Sequence, residues 1–131
     1  MLTGKVRADV YINVQLDGRK VSVLLDSGCE TSVINNRFVQ PGSLQPTTLE
    51  LFTANGEKLP IMGEVNVDML IGQSKLRHKM VASSAIAEVI LGIDFLKEFK
   101  CRWDFEHGVI NINGQWIKLH SRGTRGAVRR I

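Results

Sequence analysis

Apolar residues alternate with polar ones through Val6, Ala8, Val10, Ile12, Val14 and Leu16, the period of two that buries one face of a β-strand. Asp17-Gly18 follows, a dipeptide that tolerates positive φ and predicts a tight turn, and residues 21–25 return as an almost wholly apolar strand. Ser32-Val33-Ile34 is a short β-favouring run, after which the pattern becomes irregular around Pro41-Gly42. A second hairpin is predicted over 47–53, with Asn55-Gly56 as its turn and a return through Leu59 into the alternating Val65, Val67, Met69 and Ile71. Gly72-Gln73-Ser74 turns the chain again into a strand over 76–82.

One segment breaks the period. Ile93, Leu96 and Phe99 recur at helical spacing and leave Lys97, Glu98 and Lys100 for solvent, which predicts a single short helix near 93–100. Three brief strands are predicted after it: Trp103 with Phe105, then 109–112, then 116–119, separated by His107-Gly108 and Asn113-Gly114. The fold class is all-β, with no internal repeat.

At 131 residues the chain has room for one domain and a modest core. A hydrophobic content of 44% and a charged content of 23% exclude the disordered and fibrous classes. No apolar run reaches the roughly 18 residues of a membrane helix, and the N-terminus lacks the zones of a signal peptide. Cys29 and Cys101 are too few for a disulfide framework and too far apart for a zinc pair, so reduced thiols, cytoplasmic residence and no structural metal or cofactor are expected. The net charge of +4 is concentrated at the end: Lys118, Arg122, Arg125, Arg129 and Arg130 follow the last acid, Glu106. A domain over 1–120 with a basic tail over 121–131 is the resulting division, and a solvated linker is preferred to a nucleic-acid contact for that tail. The body also lacks the interleaved aromatics and cations of a stacking surface.

The residues with chemistry begin at Asp26. An Asp-Ser-Gly triplet usually marks a turn, but this one directly follows the apolar run Val21-Ser22-Val23-Leu24-Leu25. A carboxylate at the end of a buried strand costs free energy unless it is paired or protonated. A thiol nucleophile at Cys29 is disfavoured, because no Cys/His signature accompanies it. His78, His107 and His120 show no partner at motif spacing.

Leu24-Leu25-Asp26-Ser27-Gly28-Cys29-Glu30-Thr31-Ser32-Val33-Ile34 resembles the active-site loop of retropepsins, the single-motif aspartic proteases. Val89-Ile90-Leu91-Gly92-Ile93-Asp94-Phe95-Leu96 resembles the strand and helix that close their active site, and Asn55-Gly56 stands where the family has its flap. Trp103-Asp104-Phe105 and Asn113-Gly114 are most similar to proteases of Ty3/Gypsy-type retrotransposons. The likeness runs from Val6 to Leu119.

The resemblance implies a retropepsin-like fold of β-hairpins with a flap and one helix, half of a two-fold symmetric protease. It implies an aspartic endopeptidase, active as a homodimer, that matures a retroelement polyprotein, with retroelement particles as a further setting. The chemistry suits the residues: two close carboxylates sharing one proton can both activate water and protonate a carbonyl. With one Asp-Ser-Gly per chain, the second aspartate comes from a second copy. Asp26 is then the catalytic residue, Ser27 and Gly28 complete the loop, and Leu24, Cys29, Glu30, Val33, Ala54, Asn55, Gly56, Ile61 and Ile90 border an extended peptide. For Leu24, Val33, Ile61 and Ile90 an ordinary core position is the competing assignment. Many viral relatives carry Arg where this chain has Ile93, so Glu30 needs another partner, such as Arg7, or solvent. The alternatives are a domesticated dimerisation or peptide-binding module and a cellular ubiquitin-linked retropepsin-like protease.

Overall fold

The computed structural model describes residues 9–121. Six strands close into a barrel in the order β1 (Val10–Leu16), β2 (Arg19–Leu25), β6 (Val89–Leu91), β3 (Val33–Asn35), β5 (Ser74–Ser83) and β4 (Gly63–Ile71), with β4 meeting β1 again. A separate antiparallel sheet of β7 (Arg102–Asp104), β8 (Val109–Ile112) and β9 (Gln115–Lys118) follows α1 (Ile93–Glu98), the single α-helix among the described residues. The all-β expectation holds. Val6 and Ala8, the start of the predicted alternation, and the tail beyond Ser121 lie outside the described residues.

The turns follow from their chemistry. Asp17 (φ 50°) with Gly18 (φ 75°), and Asn113 (φ 52°) with Gly114 (φ 93°), both carry positive φ at two consecutive residues. That is the twist a two-residue hairpin needs, and it pairs Leu16 with Arg19 and Ile112 with Gln115. The longest pairing, β4 with β5, runs from Gly63↔Ala82 to Ile71↔Ser74.

Alternation fills the barrel. Ile12, Val14, Leu16, Val23, Leu25, Val65, Met69, Ile71, Met80, Val89 and Leu91 point into one core, joined by Phe95 and Leu96 of α1 and by Ile110 and Ile112 of β8. Burying each such side chain stabilises by roughly 1.5–3 kcal/mol relative to leaving it exposed. The terminal sheet therefore packs on the barrel and shares its core.

Two expectations need correction. Residues 47–53 form no strand: the predicted second hairpin is held by one bridge, Phe52↔Lys58, and by the Leu59 N–H donating to the Leu51 carbonyl at 2.7 Å. Its residues have no core beneath them, since Phe52 is 59% exposed and Leu49 44%, and Pro60 has no N–H to extend the ladder. Ser32 stands before β3: its carbonyl still accepts the Val81 N–H of β5 at 3.1 Å, but its N–H and hydroxyl turn to Asp94 of α1. At the edges, β7 stops at Asp104, one residue short of Phe105, because Asp104 Oδ1 accepts from the His107 N–H at 3.2 Å and starts a turn. Among the described residues no helix is long and apolar enough to cross a membrane.

Candidate active site

Strand β2 delivers Asp26 to the end of the barrel. Val23, Leu24 and Leu25 pair in parallel with Val89, Ile90 and Leu91, and the Asp26 N–H continues that pairing by donating to the Leu91 carbonyl at 3.0 Å. The chain then folds tightly on the aspartate. Gly28 N–H donates to Asp26 Oδ1 at 2.9 Å, and Cys29 N–H donates to the Asp26 carbonyl at 3.1 Å. Asp26 is half-buried, whereas Ser27 and Gly28 are exposed.

The opposite side of this corner is the junction of β6 and α1. Ile93 N–H donates to the Cys29 carbonyl at 2.7 Å. Asp94, at the first turn of α1, reaches back to Ser32: its Oδ2 accepts the Ser32 N–H at 3.1 Å and its Oδ1 accepts the hydroxyl at 2.8 Å. Ser32 Oγ in turn accepts the buried Gly92 N–H at 2.9 Å. Behind Asp94 stands His78 of β5, with Nε2 2.9 Å from Asp94 Oδ2 and Nδ1 2.7 Å from Glu98 Oε1. Burial alone would raise the Asp94 carboxyl, but the bonds from Ser32 and His78 outweigh it and hold the group below its ordinary value.

Beside Asp26 opens a cleft of about 320 Å³, lined by Asp9, Val10, Leu24, Leu25, Ser27, Trp103 and Phe105. Trp103 and Phe105 stack with centroids 5.3 Å apart, and Phe105 is 69% exposed. Of the predicted pocket residues, only Leu24 lines this cleft. Leu24 pairs with Ile90, and Ile90 with Val33, so these three sit side by side across β2, β6 and β3; Val33 is buried, Leu24 and Ile90 half-buried. Ala54, Asn55 and Gly56 are exposed at the flap tip. Ile61 lies half-buried at the flap base, where it lines a second groove with Thr47, Leu49, Leu59 and Pro60. Glu30 is exposed, and its suggested partner Arg7 lies outside the described residues. Cys29 is half-buried, and burial, reinforced by the negative charges of Asp26, Asp94 and Glu30, pushes its thiol up, the reverse of nucleophile activation.

The sequence reading missed the partners of the histidines. His78 bridges two carboxylates; His107 Nδ1 lies 2.8 Å from Asp104 Oδ2; His120 Nε2 lies 3.1 Å from Ser22 Oγ. Glu98, assigned to solvent, is the outer of the two acids on His78. Two signals pointed there: His78 falls on the inward period of β5 between Leu76 and Met80, and Asp94 and Glu98 are four residues apart on one helix face. Asp104, Glu106 and His107 bring ligand atoms within 4.8 Å of one another on an exposed turn, a grouping that the Asp104–His107 pair accounts for.

The profile of a family described as gag-polyprotein putative aspartyl protease matches residues 12–98. The chain belongs to this retropepsin-type family. The retropepsin-type chain is 26% identical over 114 residues to DNA damage-inducible protein 1 of Candida glabrata, covering 84% of this chain and 27% of that protein. It thus spans about a quarter of the relative's length. Among solved structures, the retroviral protease-like domain of Ddi1 from Leishmania major superposes with a TM-score of 0.74 at 16% identity, covering 90% of this chain and 98% of that one. EIAV protease in complex with the inhibitor HBY-793 gives 0.57 at 20% identity, covering 77% and 94%. A retropepsin-like aspartic protease from Rickettsia conorii gives 0.55 at 18%, covering 91% and 99%. These likenesses establish the retropepsin fold.

Proposed function

We propose that this chain is an aspartic endopeptidase that cleaves extended peptides as a homodimer, with Asp26 of each copy at the shared site. The observation that carries the reading is the Asp26 corner, a carboxylate set at the mouth of a cleft on a loop tied by main-chain bonds to β6 and α1. The chain holds one Asp-Ser-Gly, and one carboxylate cannot serve as base and acid together in amide hydrolysis. Two copies facing each other supply one ionised and one protonated Asp26. The ionised member takes a proton from water, the water oxygen adds to the peptide carbon, and the protonated member gives its proton to the carbonyl oxygen. Collapse of the tetrahedral species then releases the amine with a proton returned through the pair. The exposed Phe105 beside Trp103 and Asp26 supports a second copy at this end, since it offers apolar surface next to the half-site.

In this reading Ser27 braces the two loops across the axis. Gly28 leaves room for substrate backbone and keeps the Asp26 carboxylate uncrowded, for a Cβ there would lie 3.3 Å from its Oδ1. Leu24, Cys29, Glu30, Val33 and Ile90 border the side-chain pockets, while Ala54, Asn55, Gly56 and Ile61 close from the flap. The family description favours maturation of a retroelement polyprotein as the role. A second role, as a cellular protease domain of the kind in DNA damage-inducible protein 1, is favoured by the match across 84% of this chain. The test is cleavage of an unstructured protein with and without pepstatin, beside Asp26→Asn. Pepstatin-sensitive cleavage absent from the variant is expected; cleavage that survives both overturns the reading. Peptide-library profiling against polyprotein junctions then separates the two roles.

A further inference from the structure

One buried side chain behind the Asp26 corner takes no part in that chemistry. His78 is 7% exposed and bonds through both ring nitrogens to carboxylates, Asp94 at 2.9 Å and Glu98 at 2.7 Å. An ionised carboxylate oxygen only accepts, so each ring nitrogen that bonds one does so as an N–H donor. Both acids come from α1. Three apolar groups also neighbour the ring: Phe95 and Phe99 at centroid distances of 5.4 and 6.1 Å, and Val67, the register partner of His78 on β4.

The Asp94 carboxylate is the middle of a chain of bonds. On one side it takes His78, on the other the N–H and hydroxyl of Ser32. Ser32 closes the loop that begins at Asp26 and also receives the Gly92 N–H. Without a donor at His78, a partly buried carboxylate would lose one of its three bonds and be freer to turn away from Ser32. The loop would then rest on the Gly92 N–H bond to Ser32 Oγ and on main-chain bonds, Asp26 to Leu91, Ile93 to Cys29 and Val81 to Ser32.

We propose that His78 is a positioning residue for Asp26: held between Asp94 and Glu98 through both ring nitrogens, it fixes the Asp94 carboxylate and, through Ser32, the path of the loop that presents Asp26. The proposal rests on the protease reading for its effect on rate. Its effect on the loop stands apart from that reading.

The test uses the full chain. In nitrogen-resolved spectra at mildly acidic pH, both ring N–H protons of His78 are expected to persist, because each is bonded and buried, while those of exposed His107 are lost to fast exchange. His78→Phe keeps an aromatic ring against Phe95 and Phe99 but removes both donors. It is expected to lower kcat about tenfold with KM changed less than about twofold, the signature of a misplaced reacting group, and to speed amide exchange at Ser32 and Gly92 by about tenfold or more. His78→Gln, whose amide can donate to Asp94, is expected to recover part of kcat. Glu98→Gln, at an exposed side chain that cannot unfold the core, is expected to move both readouts in the same direction by less. Wild-type kcat and wild-type exchange in these variants, or a His78 ring with one proton-free nitrogen, overturn the proposal. Absence of cleavage by the wild-type chain overturns the protease reading instead, and leaves amide exchange to decide the hold of His78 on the loop.

Discussion

A Cβ placed on Gly92 would lie 2.4 Å from the carbonyl oxygen of Cys29. The same carbonyl accepts the Ile93 N–H at 2.7 Å, so the Asp26 loop and the start of α1 are in direct main-chain contact. Backbone cannot yield as a side-chain tip can. Gly92→Ala is expected to destabilise the fold by about 1–3 kcal/mol, the range for inserting a methyl into a packed site, and to reduce cleavage with it. Gly42→Ala, where a Cβ meets nothing within 4 Å, is the control and should fall within about 0.5 kcal/mol of wild type. Denaturant unfolding of both variants checks this.

Asp26→Asn should abolish cleavage and leave the loop intact. The amide oxygen can still accept the Gly28 N–H that Asp26 Oδ1 accepts at 2.9 Å, while the base and the shareable proton are lost. A loss of at least about a thousandfold in kcat is expected for a group so central to the chemistry, with unchanged circular dichroism and melting temperature. Cleavage near the wild-type rate would place the chemistry elsewhere.

Acid should loosen the corner before it unfolds the barrel. The folded-state carboxyl of Asp94 sits below its ordinary value of 3.8, so its bonds to Ser32 and His78 add stability that is complete above the ordinary value. That stability is lost as pH falls through the lower, folded-state value. Melting temperature measured from pH 6 down to about 2, a span that covers carboxylate titration, should fall more steeply for wild type than for Asp94→Asn. Equal slopes would remove Asp94 from the acid response.

Activity should depend on concentration more steeply than the first power as the protein is diluted, if two copies build the site. Phe105→Asp puts a charge into the apolar surface beside Asp26. It should shift sedimentation towards the monomer and cut specific activity at a fixed concentration. A monomer with full specific activity would end the two-copy reading.

Neither thiol should react quickly. Burial pushes the Cys101 thiol to about 11, and burial together with nearby carboxylates raises that of Cys29. Iodoacetamide labelling at pH 7.5, followed by mass spectrometry, should lag behind that of an unstructured cysteine peptide by about tenfold or more at Cys101, since the thiolate is the reacting form.

Much of this architecture was legible along the chain because strand pleat, turn chemistry and burial agree. Val14, Leu16, Val23 and Leu25 alternate as they pack, and Asp17-Gly18 turns where its φ angles allow. The flap arm was misread because Leu49 and Leu51 are apolar at strand spacing, yet Leu49 and the neighbouring Phe52 have no core to face, so periodicity reported a surface that the single chain does not bury. The Asp26 loop was read from its motif. Its supports were not, because Ser32, His78, Asp94 and Glu98 meet across separations of up to 62 residues and only topology brings them together. His78 illustrates the limit: its inward position on β5 was readable, whereas the two acids it joins belong to a helix that closes the barrel later in the chain.

The barrel closes through parallel pairings of β2 with β6 and β3 with β5, and this sets an order of events during synthesis. Leu91, Ile93 and Asp94 complete the corner around Asp26, so a nascent chain that has emerged only as far as β5 lacks the bonds that these residues give the aspartate's loop. Contacts of such long sequence separation form late and slowly. The Asp26 corner is therefore among the last parts of the described chain to be fixed, after α1 has been made.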